Sequence, residues 1–299
     1  MKIRLISGSA YIAILAAFFC LKIFLPAPYG TFAFDALIYA FALIGTFEML
    51  RAVKEKTTKA SRGLVFAFAI VTIPACSACE YLFGEGFMAS ALCLGLLALA
   101  LLSLLVFAHE ETTIENLGVS LLSAVYPVLF LALLVLCNHE TGVLRLAKFG
   151  FDSRLMLLMI FVISPCADSI AYVFGCFLRK YFPKKLAPKL SPNKTVIGGI
   201  GGLVGGMLGA AALYFIYNAT AGSYDKMPLV LPVYMGIGLL AAVATAFGDL
   251  VESCIKRKVG LKDMGKIMPG HGGALDRLDG TFFATVVVYA AFQLVYLVF

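Results

Sequence analysis

Charge is scarce in this chain. Only 14% of its 299 residues are Asp, Glu, Lys or Arg and 62% are hydrophobic, against roughly a quarter and a half in soluble domains. With a mean hydropathy of +0.97, the composition excludes a water-soluble globular domain. Short alternating segments, the mark of a closed transmembrane barrel, are also missing, and the apolar runs are long and continuous. The sequence therefore predicts an all-α, polytopic helical membrane protein. There is no disulfide framework: the eight cysteines fall mostly inside apolar runs, and the one CxxC, Cys76 to Cys79, has no second pair nearby to make a metal or redox site. The first apolar run, to about Leu25, is too long for a signal h-region and lacks a small-residue cleavage site, so it is expected to stay as a span. Internal repeats and low-complexity linkers are absent too.

Nine apolar runs remain: Leu5 to Leu25, Phe34 to Leu50, Leu64 to Phe83, Phe87 to Ala108, Leu117 to Cys137, Leu155 to Leu178, Val196 to Tyr217, Leu229 to Leu250 and Phe282 to Phe299. The formal charge of +7 suits membrane topology better than a nucleic-acid partner. With the N-terminus inside and nine crossings, 19 of the 24 Lys and Arg residues fall in inner segments. The C-terminus is then expected outside. One membrane domain accounts for the chain, with 1–138 as a scaffold nearly featureless in chemistry and 139–299 carrying the polar residues.

Two inner segments are more than connectors. Arg179 to Lys194 holds six cations and three prolines, and reads as an extended basic ribbon at the membrane surface. Ala246 to Gly280 interleaves Asp249, Glu252, Asp263, Asp276 and Asp279 with Lys256, Arg257, Arg277 and His271. At about thirty residues it is long for a bundle connection. Carboxylates mixed with cations suit a divalent metal carrying a polyphosphate. Asp249, Glu252, Ser253 and Lys256 share a helical face, and Asp249 at the end of an apolar run reads as a ligand rather than a salt-bridged helix end. Pro269-Gly270-His271-Gly272-Gly273 allows close approach to phosphate oxygens, with metal-binding acids and Arg277 directly behind it. His271 reads equally as a ligand, a phosphate donor or a turn residue. Asp168, next to Pro165 within the sixth run, is either functional or inter-helix glue. Ser191-Pro192-Asn193-Lys194-Thr195 sits at a helix start that attracts anions. The glycines from Gly198 to Gly206 read as helix packing, since no strand precedes them.

Ser253-Cys254-Ile255-Lys256-Arg257, Lys262-Asp263, Pro269 to Gly273 and Asp276-Arg277-Leu278-Asp279 together resemble the C-terminal signature of phosphatidate cytidylyltransferases, or CDP-diacylglycerol synthases. The likeness extends to Gly248 to Glu252, Ser191 to Thr195 and Asp168 to Tyr172, covering roughly the last 135 residues. The resemblance implies attack of phosphatidic acid on the α-phosphorus of CTP, giving CDP-diacylglycerol and pyrophosphate. It implies Mg2+, with the number of cations left open, and a homodimer in the bacterial inner membrane. Asp249 and Asp276 would be metal ligands, acting in catalysis with Lys256 and Arg277. Asp168, Ser191, Lys194, Arg257, His271 and Asp279 would line the nucleotide and lipid phosphates. Asn193 stands where the family usually has Lys, Met268 where Leu, Ile or Phe is usual, and Ala274 where a larger apolar residue is common; Lys189 and Lys194 are candidates to replace the missing cation.

Other readings fare worse. A CTP-dependent lipid or polyprenol kinase would release CDP instead of pyrophosphate. A transporter could use Asp168 and Asp249 as an ion path, but would need neither the charged loop nor asymmetric halves. A structural subunit leaves the His-Gly-Gly-Ala-Leu-Asp-Arg run unexplained.

Overall fold

The computed structural model describes residues 2–140, 143–146, 149–152, 155–188, 190–220, 230–270 and 272–298. Its helices are α1 (Lys2–Phe24), α2 (Tyr29–Ala52), α3 (Lys59–Phe83), α4 (Gly86–Phe107), α5 (Ile114–Ala124), α6 (Phe130–His139), α7 (Leu155–Leu178), α8 (Val196–Thr220), α9 (Val230–Lys258) and α10 (Leu275–Val298). A π turn, Val125–Leu129, joins α5 to α6 around Pro127, whose missing N–H interrupts the regular ladder. The combined span runs Ile114–His139. Each of the nine apolar runs thus forms a helix, as a lipid environment demands of backbone polar groups. Eight helices among the described residues are long and apolar enough to cross a membrane. The chain is a polytopic helical membrane protein.

Helix limits follow local chemistry. Thr58 caps α3 by accepting from Ser61 N at 3.2 Å, and Gly84 ends it in the left-handed region at φ 71°. Thr113 and Asn116 form a capping box at α5.

Two expectations need correction. Arg179 to Lys194 is not a free ribbon: β3 (Lys185–Ala187) and β4 (Ser191–Thr195) pair antiparallel. A second hairpin, β1 (Val143–Leu146) with β2 (Phe149–Asp152), precedes α7. The connection within Ala246 to Gly280 is also shorter than thirty residues: α9 continues to Lys258, bearing out the shared helical face of Asp249, Glu252, Ser253 and Lys256, and α10 starts at Leu275. The polar extension of α9 is held by an i,i+4 pair, Lys256 Nζ to Glu252 Oε2 at 2.8 Å.

The chain divides into two compact units, Met1–His139 with Lys258–Leu278, and Glu140–Arg257 with Asp279–Phe299. The first packs Phe34, Ile38, Met49, Ile73 and Leu131 in its interior. It also buries a polar network on α1, α2, α3 and α6 that the sequence reading left without a role. Lys22 Nζ donates to Asn138 O at 2.6 Å and to its Oδ1. Asn138 Nδ2 donates to Asp35 Oδ1 at 2.8 Å, and Asp35 Oδ2 receives Ser77 Oγ and His139 Nε2. The second unit packs Met156, Leu157, Tyr234, Phe282 and Phe292.

Asp35 ties α2, α3 and α6 directly and α1 through Asn138, so Asp35→Ala takes the acceptor from the Ser77 hydroxyl, the His139 imidazole and one Asn138 amide hydrogen at once. The expected loss is roughly 3–5 kcal/mol, read as a lower unfolding temperature in detergent, with Asp35→Asn milder because it keeps one acceptor.

Candidate active site

In the second unit α8 is a stripe of glycines that lets backbones touch. A Cβ on Gly205 would lie 2.6 Å from Cys166 O on α7, and one on Gly206 would lie 2.5 Å from Gly238 O on α9. The packing reading therefore holds for Gly205 and Gly206, although its premise that no strand precedes them does not, since β4 leads directly into α8. Where the β3–β4 hairpin feeds α8, Thr195 Oγ1 accepts from Gly198 N at 3.1 Å and caps the helix.

A cavity of about 670 Å³ opens between α7, the hairpin, α8 and α9, within the size range of small-molecule sites. Its walls are mainly Ala and Gly backbone; its polar groups are Asp168, Arg179, Asn193, Lys194, Thr195, Thr245 and Asp249. Asp168, Tyr172 and Cys176 follow one another at helical spacing along a single face of α7, and Arg179 comes one residue past its end. Lys194 Nζ donates to Asp249 Oδ2, joining β4 to α9. One turn beyond, Glu252 is fully buried and paired with Lys256. Ahead of the apolar run that begins at Phe282, burial and then the neighbouring Glu252 and Asp249 carboxylates push the Asp279 carboxyl well above the usual range. Acids and cations are thus interleaved around a largely apolar chamber, an arrangement able to neutralise a polyanion.

The signature loop lies in the first unit and is folded on carboxylates. Asp276 Oδ2 accepts from Met264 N and Gly273 N at 2.8 Å and from Gly265 N at 3.4 Å. Met268 N donates to Gly272 O at 2.9 Å, closing a tight turn. Gly270 and Gly272 hold φ of 79° and 88° there, a conformation that disfavours a side chain. The glycines therefore serve the loop's own geometry.

The profile of the cytidylyltransferase family matches residues 2–295. The chain belongs to the cytidylyltransferase family. Among its relatives, the phosphatidate cytidylyltransferase of Bacillus subtilis (strain 168) is 33% identical over 87% of this chain and 88% of its own. That of Thermotoga maritima is 34% identical over 42% of this chain and 45% of its own, and that of Brucella abortus biovar 1 is 37% identical over 47% of each. Against these last two the match spans about half the relative's length.

Of the positions singled out from sequence, this cytidylyltransferase brings Asp168, Lys194 and Asp249 to one cavity. Ser191 begins β4, opposite Ala187 and outside the lining. Lys256 serves Glu252, Arg257 and Arg277 are exposed, and Asp276 organises the loop. His271 and Lys189 lie outside the described residues. Asn193, which replaces a usual Lys, lines the cavity together with Arg179, a cation that sequence reasoning had assigned only to membrane topology. Its spacing from Asp168 was the available signal.

Among the described residues no three His, Cys, Asp or Glu side chains stand close enough to hold a metal ion by themselves. The carboxylates of Asp249, Glu252 and Asp279 are hard oxygen donors of the kind a divalent cation takes, and Asp249 and Glu252 are each paired with a lysine ammonium. Asp276 has committed one oxygen to backbone N–H groups.

Thr245 Oγ1 is buried, lines the cavity and has no hydrogen-bond partner among the described residues. Thr245→Val is isosteric and deletes only this hydroxyl. It is expected to leave the unfolding temperature unchanged and to raise the KM of one substrate roughly 2- to 10-fold, the worth of one hydrogen bond, measured by steady-state kinetics.

Proposed function

We propose that this cytidylyltransferase transfers CMP from CTP to phosphatidic acid, giving CDP-diacylglycerol and pyrophosphate. The observation that carries the reading is a cavity pairing Arg179 and Lys194 with Asp168 and Asp249 in a chain of this family. Its most extensive match among the named relatives is to a phosphatidate cytidylyltransferase.

In the reaction a phosphate oxygen of phosphatidic acid forms a bond to the α-phosphorus of CTP while the bond from that phosphorus to the β-phosphate oxygen breaks. Pyrophosphate leaves with the electron pair. Such transfers are catalysed mainly by positioning and charge neutralisation. Lys194 is suited to both, since its flexible stem allows the ammonium to move from Asp249 to an incoming phosphate. Arg179 offers a planar fork to the second anion. The apolar Ala and Gly walls keep water from competing with the lipid phosphate.

Mg2+ binding is assigned to Asp249 in the second unit, beside the hard oxygens of Glu252 and Asp279, and to Asp276 in the first. A bound Mg2+ supplies positive charge to the polyphosphate. Lys256, Arg257, Arg277, Ser191 and His271 keep their expected phosphate roles in this reading. The cation distribution supports a reading in which the N-terminus and the site face the cytoplasm and, with nine crossings, the C-terminus lies outside, in the inner membrane of a bacterial cell. A homodimer completes the assignment by family likeness.

Purified protein with CTP labelled at the α-phosphate is expected to move label into the lipid fraction only when phosphatidic acid and Mg2+ are present. Label entering lipid from the γ-phosphate instead identifies a kinase and sinks the proposal. Asp249→Asn is expected to lower turnover by at least about 10²-fold with the fold retained and to abolish the Mg2+-dependent rise in unfolding temperature; near-normal values for both remove the metal assignment. Asp276→Asn is expected to cost stability as well as turnover, because its carboxylate holds three backbone N–H groups.

A further inference from the structure

Besides Asp35, the N-terminal scaffold buries a second carboxyl that neither the signature nor the cavity explains. Glu48, near the end of α2, is 1% exposed. Its Oε2 accepts from Leu275 N, the first residue of α10, at 3.1 Å. A carboxyl oxygen at that point satisfies a donor that a helix start leaves open and opposes the positive end of its dipole. The other oxygen, Oε1, is buried without a hydrogen-bond partner among the described residues.

What surrounds it is the backbone of two loop glycines. A Cβ on Gly265 would fall 1.8 Å from Oε1, and one on Gly273 would fall 2.4 Å from both oxygens. The carboxyl is therefore wedged between the two strands of the signature loop, too tightly for an ion to enter. One turn along α2, Arg51 Nη2 donates to Met264 O at 3.1 Å and holds the loop's other limb. Asp276 then closes the loop from within by gathering Met264, Gly265 and Gly273 N–H groups.

We infer that Glu48 is a positioning residue of the transfer reaction: wedged between Gly265 and Gly273 and bonded to Leu275 N, it fixes the start of the helix that carries Asp276 and Arg277. The inference rests on the reading that those two residues serve nucleotidyl transfer. Glu48 touches no substrate, so its loss disturbs the geometry of the chemical step more than the binding of either substrate.

The test uses the full chain reconstituted in liposomes, assaying CDP-diacylglycerol formation together with thermal unfolding. Wild type is the control; if it makes no product, the functional reading fails before this one is reached. With active wild type, Glu48→Ala is expected to lower kcat about 10- to 100-fold, with both KM values within about threefold. Glu48→Gln keeps the shape and an acceptor and is expected to recover most of kcat. Folded Glu48→Ala at wild-type kcat overturns the inference, as does a Glu48→Gln variant no better than Glu48→Ala. Should Glu48→Ala fail to accumulate, Gly273→Ala drives a methyl into the same carboxyl and is expected to reproduce the fall in kcat; wild-type kcat in folded Gly273→Ala overturns the inference equally.

Discussion

A carboxylate among apolar helices survives only where something compensates its lost hydration, and the acids of this chain sort by what does so. Asp276 and Glu48 accept backbone N–H groups. Those donors are fixed by the fold, so each acid in turn fixes a segment of chain. Asp249 and Glu252 are instead met by lysine side chains, Lys194 and Lys256. A backbone amide cannot leave its carboxylate without unfolding something, whereas an ammonium on four methylenes can. The first pair therefore shapes the signature loop, and the second pair holds charge that an incoming polyphosphate or cation can redistribute.

The same constraint explains why the cavity has walls of almost bare backbone. A chamber that admits a charged headgroup into a membrane bundle needs room near the helix axes, and large side chains would fill it. Gly198, Gly199 and Gly202 on α8 and Ala167 and Ala171 on α7 leave that room. Gly205 and Gly206, further along α8 and outside the chamber's lining, bring the backbones into contact. One glycine-rich helix thus does two opposite things along its length.

Most of the bundle was legible because lipid makes the hydrophobic signal long: among the described residues the ten helices fall on the nine continuous apolar runs, with α5 and α6 sharing one. Chemistry at their ends was legible only in part. Hydropathy fades at Leu250, and only the helical spacing of Asp249, Glu252, Ser253 and Lys256 marked the continuation of α9 to Lys258, which an i,i+4 ion pair supports. Three prolines made Arg179 to Lys194 look extended but could not reveal that Val196 N bonds back to Lys184 O and folds the segment into a hairpin. Arg179 was hidden by a second explanation, the cation bias of inner loops, that accounted for it equally well. Asp249 and Asp168 were found because a carboxylate in an apolar run has few other reasons to be there.

Glu48 shows the opposite case, in which no local pattern could have sufficed. Its partner Leu275 is 227 positions away, and within α2 it looks like one acid at the end of an apolar helix. The trace it leaves is in the loop: Gly265 and Gly273 have no space for a Cβ because Glu48 occupies it. A glycine-rich signature is commonly read as backbone cleared for a phosphate. Here two of its glycines are cleared for a carboxyl of the protein's own second helix, so the motif records the scaffold that holds it as much as the ligand it serves.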